Sequence, residues 1–262
     1  MNAAAPEERT LLEAALRHER WTSALLLFAV TLASWAWIVV MARDMYGAMS
    51  GAAAWTMVPE WDAARLALLW TMWMAMMTAM MLPSAAPLLL LYAGAARARG
   101  DAHAGRQLHA MAAGYLVAWG GYSLAATVLQ RVLAQLLLFT PMMEPATPFA
   151  AAIALALAGV YQLTPHKRAC LRVCRSPLAT LLHGWRAGTA GAFRMGLAHG
   201  SYCVGCCWAL MLLLFAGGAM NLAVIVALTL WVLVEKLAPL GERTARWSGA
   251  ALLVLAAWTA LR

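Results

Sequence analysis

Six of the ten residues from Met72 to Met81 are methionine, in the run Met72-Trp73-Met74-Ala75-Met76-Met77-Thr78-Ala79-Met80-Met81. A thioether is a neutral, soft ligand that suits Cu(I) and suits hard cations poorly. On a helix turning about 100° per residue, Met72, Met76 and Met80 form one stripe, and Met77 and Met81 form a second beside it. A plainer reading competes: methionine is flexible and apolar, and it fills irregular gaps in packed cores.

A second group lies at His199-Gly200-Ser201-Tyr202-Cys203-Val204-Gly205-Cys206-Cys207, which holds three of the chain's 5 cysteines and one of its 6 histidines. On a regular helix His199, Cys203, Cys206 and Cys207 fall within an arc of about 100°. Each i,i+3 or i,i+4 step leaves Cβ atoms about 5–6 Å apart, close enough for two side chains to share an ion. All four cannot share one, because His199 to Cys207 rises about 12 Å along the axis. Two or three ligands from this helix, completed from another, is the arrangement the spacing favours. Gly200 and Gly205 could open the helix locally and relax that limit. Thiolate, imidazole and thioether together select Cu(I), with Zn as the second choice. The plain alternatives are a histidine hydrogen-bonded to a neighbouring helix and cysteines acting as small hydrophobes.

Three further features bear on this chemistry. Cys170 and Cys174 lie among Arg168, Arg172 and Arg175, whose charge favours thiolates. They form either a docking site for a soft metal or an incidental CxxxC on a basic amphipathic segment. Glu235 and Lys236 are adjacent; Glu235 could pair with Lys236 or an arginine, and the plainer expectation is a helix-terminal charge snorkelling to an interface. Met45, Met49, Met57, Met142, Met143 and Met220 accompany Asp44, Glu60, Asp62 and Glu144 in connecting segments. They read as an outer capture surface or, more cheaply, as methionines scattered over loops.

The elements that must position these groups are membrane helices. The 262 residues are 64% hydrophobic and 11% charged, with mean hydropathy +0.72, against about 25% charged in an ordinary soluble domain. Disordered, nucleic-acid-binding and secreted disulfide classes drop out. A span needs about 20 apolar residues, and seven stretches qualify: 21–40, 65–96, 109–139, 148–163, 191–215, 221–237 and 247–261. The expected fold is therefore all-α, a polytopic bundle of about seven spans. Pro83 and Pro87 are expected to bend the second span. Residues 1–20, mixed in charge and without a signal-peptide core, read as a cytoplasmic segment. Residues 21–262 read as one transmembrane domain with a basic, partly helical cytoplasmic loop at about 165–190. With the N-terminus inside and the C-terminus outside, 15 of the 19 Lys and Arg fall on the cytoplasmic face, as the positive-inside rule requires. The net charge of +8 is thus a membrane-topology signal. Met76–Met81 and Cys203–Cys207 then sit near one depth, and a histidine there is a functional hypothesis by default. Gly196 and Gly200 are spaced for close helix approach.

Met76-Met77-Thr78-Ala79-Met80-Met81-Leu82-Pro83-Ser84-Ala85-Ala86-Pro87 resembles one signature of a bacterial family of predicted metal-binding integral membrane proteins, some of whose members are labelled copper chaperones. His199 to Met211, followed by Gly218-Ala219-Met220-Asn221, is similar to a second signature. Glu235-Lys236-Leu237-Ala238-Pro239-Leu240-Gly241 is similar to a third. The cysteine motif shows no departure, and the N-terminal third adds nothing to the match. The resemblance implies a bacterial inner-membrane location and a metal site at the Met and Cys positions.

The function expected is binding of a soft metal, copper(I) or alternatively zinc, in transport, trafficking or metalloenzyme assembly. The candidate ligands are Met72, Met76, Met77, Met80, Met81, His199, Cys203, Cys206 and Cys207. Expected partners are the lipid bilayer, the metal ion, and a soluble metallochaperone or membrane metalloenzyme, with no nucleic acid. No nucleotide-binding GxxxxGK[ST] run is present, which argues against an internal ATP motor. A thiol–disulfide oxidoreductase using Cys203, Cys206 and Cys207 is the enzymatic alternative. It is disfavoured by apolar surroundings and by the lack of any nearby positive group other than His199. A structural subunit without its own chemistry is the third reading.

Overall fold

The computed structural model describes residues 6–47, 50–51, 54, 61–101, 103–140, 143–238 and 241–261, with backbone alone for residues 6–20, 241 and 242. Residues 1–5 of the N-terminal segment, Met49, Met57, Glu60 and Met142 of the outer set, and Pro239 and Leu240 of the third motif lie outside the described residues.

Helices make up all the regular structure among the described residues, and no strand forms. They are α1 (Pro6–Met45), α2 (Ala63–Ala98), α3 (Ala104–Gln135), α4 (Pro148–Leu163), α5 (Pro165–Arg175), α6 (Pro177–Gly184), α7 (Gly188–Met211), α8 (Leu213–Gly217), α9 (Leu222–Leu237) and α10 (Gly241–Ala260). Side-chain oxygens set several starts by accepting from orphaned backbone N–H groups. Asp62 caps α2 from Arg65 N at 2.8 Å, and Thr147 caps α4 from Ala150 N at 3.2 Å. Thr164 takes Lys167 N at 3.2 Å. With Pro165 next, which fits the first turn of a new helix, this capped break turns the chain by 69° between α4 and α5. The segment read as a basic loop at 165–190 is therefore largely two short helices, α5 and α6.

Four helical stretches are long and apolar enough to cross a membrane: Trp21–Met45, Ala63–Ala98, Ala104–Gln135 and Gly188–Gly217. The bent pair α4–α5 would make a fifth. The two remaining expected spans exist as α9 and α10 but fall short as isolated signals. The 16 residues of α9 rise only about 24 Å, and α10 opens with Glu242, Arg243 and Arg246.

The centre of the fold is α2, which buries Met72, Trp73, Met76, Met77, Met80 and Met81. Both of its prolines lie inside one continuous helix. Its neighbours are α1, α3 and α9, while α7 packs most extensively on α3 and α10 on α4. The α3–α7 seam is built from glycine. A Cβ on Gly114 would stand 2.1 Å from the Phe193 carbonyl oxygen, and one on Gly196 would stand 1.9 Å from that of Met111. One on Gly200 would meet Ala118 Cβ at 2.7 Å. The Gly196/Gly200 spacing thus does bring two backbones together, as small residues do in helix pairs.

A buried thiol cluster and its lysine

Close α3–α7 packing brings Tyr115 against the cysteine-bearing face of α7. Its hydroxyl lies 3.0 Å from Cys203 Sγ and 3.1 Å from the Met81 carbonyl of α2. Ser84 Oγ donates to that same carbonyl at 2.7 Å. Three helices therefore meet at Cys203.

A fourth supplies charge. Lys236, near the end of α9, directs Nζ to Cys203 Sγ at 2.8 Å and to Ser84 Oγ at 2.9 Å. It also reaches Met81 Sδ at 3.9 Å. The ammonium is buried, with 6% of the residue exposed, so it does not snorkel. The expectation that no positive group lies near the thiols, His199 apart, is corrected by this residue.

The other thiols gather beside Cys203. Cys206 Sγ lies 3.2 Å from Cys207 Sγ, 3.7 Å from Cys174 Sγ and 3.2 Å from the Cys203 carbonyl. Cys206 thus links Cys174 and Cys207 and, through the Cys203 carbonyl, stands beside Cys203. Cys174 arrives because α5 folds back along α7. The fit is close, since a Cβ on Gly205 would stand 2.9 Å from Cys170 Sγ, and Tyr161 donates its hydroxyl to the Gly205 carbonyl. All five cysteines are free thiols, and only Cys174 is not fully buried.

The candidate ligands divide by position. Met81 and Cys203 share Lys236 as a neighbour, Cys206 touches Cys207, and His199 stacks on Tyr115 with ring centroids 6.0 Å apart. His199 is 5% exposed, and its Nδ1 is buried without a hydrogen-bond partner, so the hydrogen bond that would explain it plainly is not made at that atom. Met72, Met76, Met77 and Met80 are buried on α2. Met72 lies about 13 Å along the axis from Met81, at the level where Trp73 stacks on Phe215 at 4.9 Å and donates to Gln130 at 2.7 Å. That end of the stripe is remote from the thiols.

Among the described residues, no three His, Cys, Asp or Glu side chains surround a common point suited to a metal ion; the sulfurs contact one another and Lys236 instead. The donor set still suits a soft ion. Thiolate sulfurs about 2.3 Å from a metal stand at most about 4.6 Å apart, and the separations of 3.2 and 3.7 Å lie inside that limit.

Glu235 also departs from the snorkelling expectation. Its Oε2 accepts from Lys167 Nζ at 2.6 Å, with side chains 0% and 2% exposed. Gln162 donates to Oε1 at 2.7 Å, Trp231 at 2.9 Å, and Ser248 at 3.3 Å. Arg175 Nη1 donates to the Glu235 carbonyl at 2.6 Å. This network ties α5, which carries Cys174, to α9, which carries Lys236.

At the opposite end of the bundle, Met45, Met143 and Met220 are buried rather than spread over loops. Ala219 N donates to the Met143 carbonyl at 2.9 Å, and Tyr46 donates to Glu144 at 3.2 Å. Burial and the neighbouring Glu144 charge push the Tyr46 phenol above its ordinary range.

A family model described as PpoB2, copper chaperone, matches residues 70–259. That stretch holds the methionine run, the thiol cluster and Lys236, and the chain belongs to this family. No match was found among curated proteins or among solved structures.

Proposed function

We propose that this member of the PpoB2 copper chaperone family is a multi-pass protein of the bacterial inner membrane that carries copper(I) as cargo. In this reading the bundle has seven spans, with α9 and α10 completing those that length and hydropathy single out. The N-terminus and residues 1–20 face the cytoplasm and the C-terminus lies outside. Residues 21–262 act as one domain whose basic 165–190 segment packs back on the bundle. The one-sided distribution of Lys and Arg supports this orientation.

The observation that carries the chemical reading is the buried contact of Lys236 with Cys203, beside Cys206 and its neighbours Cys174 and Cys207. Two thiolates around Cu(I) leave a net charge of −1, which is costly in an apolar interior unless paired. The Lys236 ammonium supplies the missing positive charge. Cys203, Cys206 and Cys207 hold the cargo, with Cys174, the Met81 thioether and the His199 imidazole as exchange partners. The remaining methionines of the run, Met72, Met76, Met77 and Met80, form a softer approach along α2. Cys174, the half-buried thiol, is where a soluble metallochaperone or a client metalloenzyme would exchange ligands. Zinc is the second ion the donor set accepts.

The test is copper content after anaerobic loading in detergent. One copper per chain, lost when Cys203, Cys206 and Cys207 are changed to Ser, supports the reading. A chain that takes up none contradicts it. A second reading, thiol–disulfide exchange, draws on Cys206 Sγ lying between Cys174 and Cys207. It would show instead as thiols lost to a quinone oxidant and restored by a dithiol.

A further inference from the structure

A wide groove lies apart from the thiols. It lies between α1, the end of α2 and α6, and encloses about 930 Å³, within the roughly 300–1,000 Å³ of ligand sites in general. Trp21, Leu91, Gly94, Leu178, Leu182 and Trp185 contribute to its walls. Among the described residues, and apart from the two indoles, its polar lining side chains are Ser23, Arg97 and Arg99. Trp21 is 67% exposed, and Leu178 and Leu182 on α6 are 61% and 68% exposed, so the walls stand open to the surroundings.

Charge and aromatic rings sit at one end. The Arg99 guanidinium lies 3.9 Å over the Trp185 ring, and Trp185 stacks on Tyr92 at 4.8 Å. Arg97 stands two residues earlier on the same helix end. Tryptophan beside arginine, with an apolar wall running away from both, is the arrangement found at the boundary between lipid chains and headgroups. A phospholipid wants charge at one end only.

We propose that this groove is a binding site for an anionic phospholipid, with an acyl chain along Leu91, Gly94, Leu178 and Leu182 and the phosphate beside Arg99, where Arg97 adds positive charge at the same end. The inference rests on the membrane reading but not on copper. Basic side chains at a membrane surface attract anionic lipid and leave zwitterionic lipid largely unselected. Gly94 offers a direct probe, because a Cβ there meets nothing within 4 Å. A side chain there starts from open space at the groove wall.

The experiment is native mass spectrometry of the full-length chain in detergent. It is incubated with dioleoyl phosphatidylglycerol or with dioleoyl phosphatidylcholine, which share chains and differ in headgroup. We expect one phosphatidylglycerol retained with a preference of about tenfold or more, the scale for two basic groups at a lipid surface. Arg97→Gln with Arg99→Gln should abolish the preference while Arg97→Lys with Arg99→Lys keeps it, and Gly94→Phe should lower retention of both lipids. Equal retention of the two lipids, or a preference unchanged in the Gln pair, overturns the proposal. So does competition by glycerol 3-phosphate alone, or a bound polypeptide in place of lipid. A chain that stays in solution without detergent would instead overturn the membrane reading itself.

Discussion

Lys236 Nζ and Cys203 Sγ lie 2.8 Å apart, although they are 33 residues apart in sequence and belong to helices α9 and α7. This contact places a full positive charge on a buried sulfur, beside a thioether and three further thiols. If the charge balances a copper–thiolate centre, Lys236→Met should weaken Cu(I) binding by at least about tenfold, where a factor of ten corresponds to about 1.4 kcal/mol. Lys236→Arg should weaken it less. Competition against a Cu(I)-specific chelator measures both. Equal affinity in the wild type and the Met variant would remove Lys236 from the site.

The α3–α7 seam should resist any side chain at Gly196. The Met111 carbonyl that a Cβ would strike is backbone, 1.9 Å away, and cannot rotate aside. Gly196→Leu should cost about 1–3 kcal/mol, as overpacking does, and should move Tyr115 away from Cys203. Thermal unfolding in detergent reads the first effect, and loss of copper affinity reads the second. Gly94→Leu, in open space, should leave unfolding nearly unchanged.

The buried Lys167–Glu235 pair should behave as a unit. Removing either partner leaves an uncompensated buried charge, a loss of about 3–5 kcal/mol. Lys167→Met with Glu235→Gln should recover much of that loss. Single losses that simply add in the double variant would contradict the pairing.

Asp101, in the turn between α2 and α3, accepts from His103 N at 2.9 Å and from the Gln107 side chain. The His103 backbone bond first, then Gln107, hold its carboxyl below the ordinary value of 3.8. A lowered carboxyl stabilises the fold above its unfolded pKa, and that contribution vanishes as pH falls through the folded pKa. Asp101→Asn should therefore melt earlier than wild type at pH 7, and the two should converge in strong acid. A difference independent of pH would assign the effect to packing.

Much of the helical framework was legible because helices long and apolar enough to cross a membrane are written as long apolar runs. The clustering of His199, Cys203, Cys206 and Cys207 was visible for a similar reason, since i,i+3 and i,i+4 spacing is local. Cys174 was legible only as part of a separate docking pair with Cys170, and Lys236 was not legible as a site residue. Cys174 joins Cys206 only because a capped proline turn folds α5 back along α7. Lys236 reads locally as a helix-end cation, and only its packing on α2 and α7 turns it inward. Periodicity marks the methionine run as one buried face without marking how far along it Cys203 lies. Met81 stands beside Lys236, whereas Met72 lies about 13 Å farther along the axis.

The claim that four thiols and a lysine form a copper(I) carrier is tested most directly by X-ray absorption at the copper edge of the anaerobically loaded protein. We expect a reduced copper ion in a first shell of sulfur, and the loss of that shell when Cys203, Cys206 and Cys207 are changed to Ser. A shell of nitrogen and oxygen, or a sulfur shell that survives the three substitutions, would contradict it.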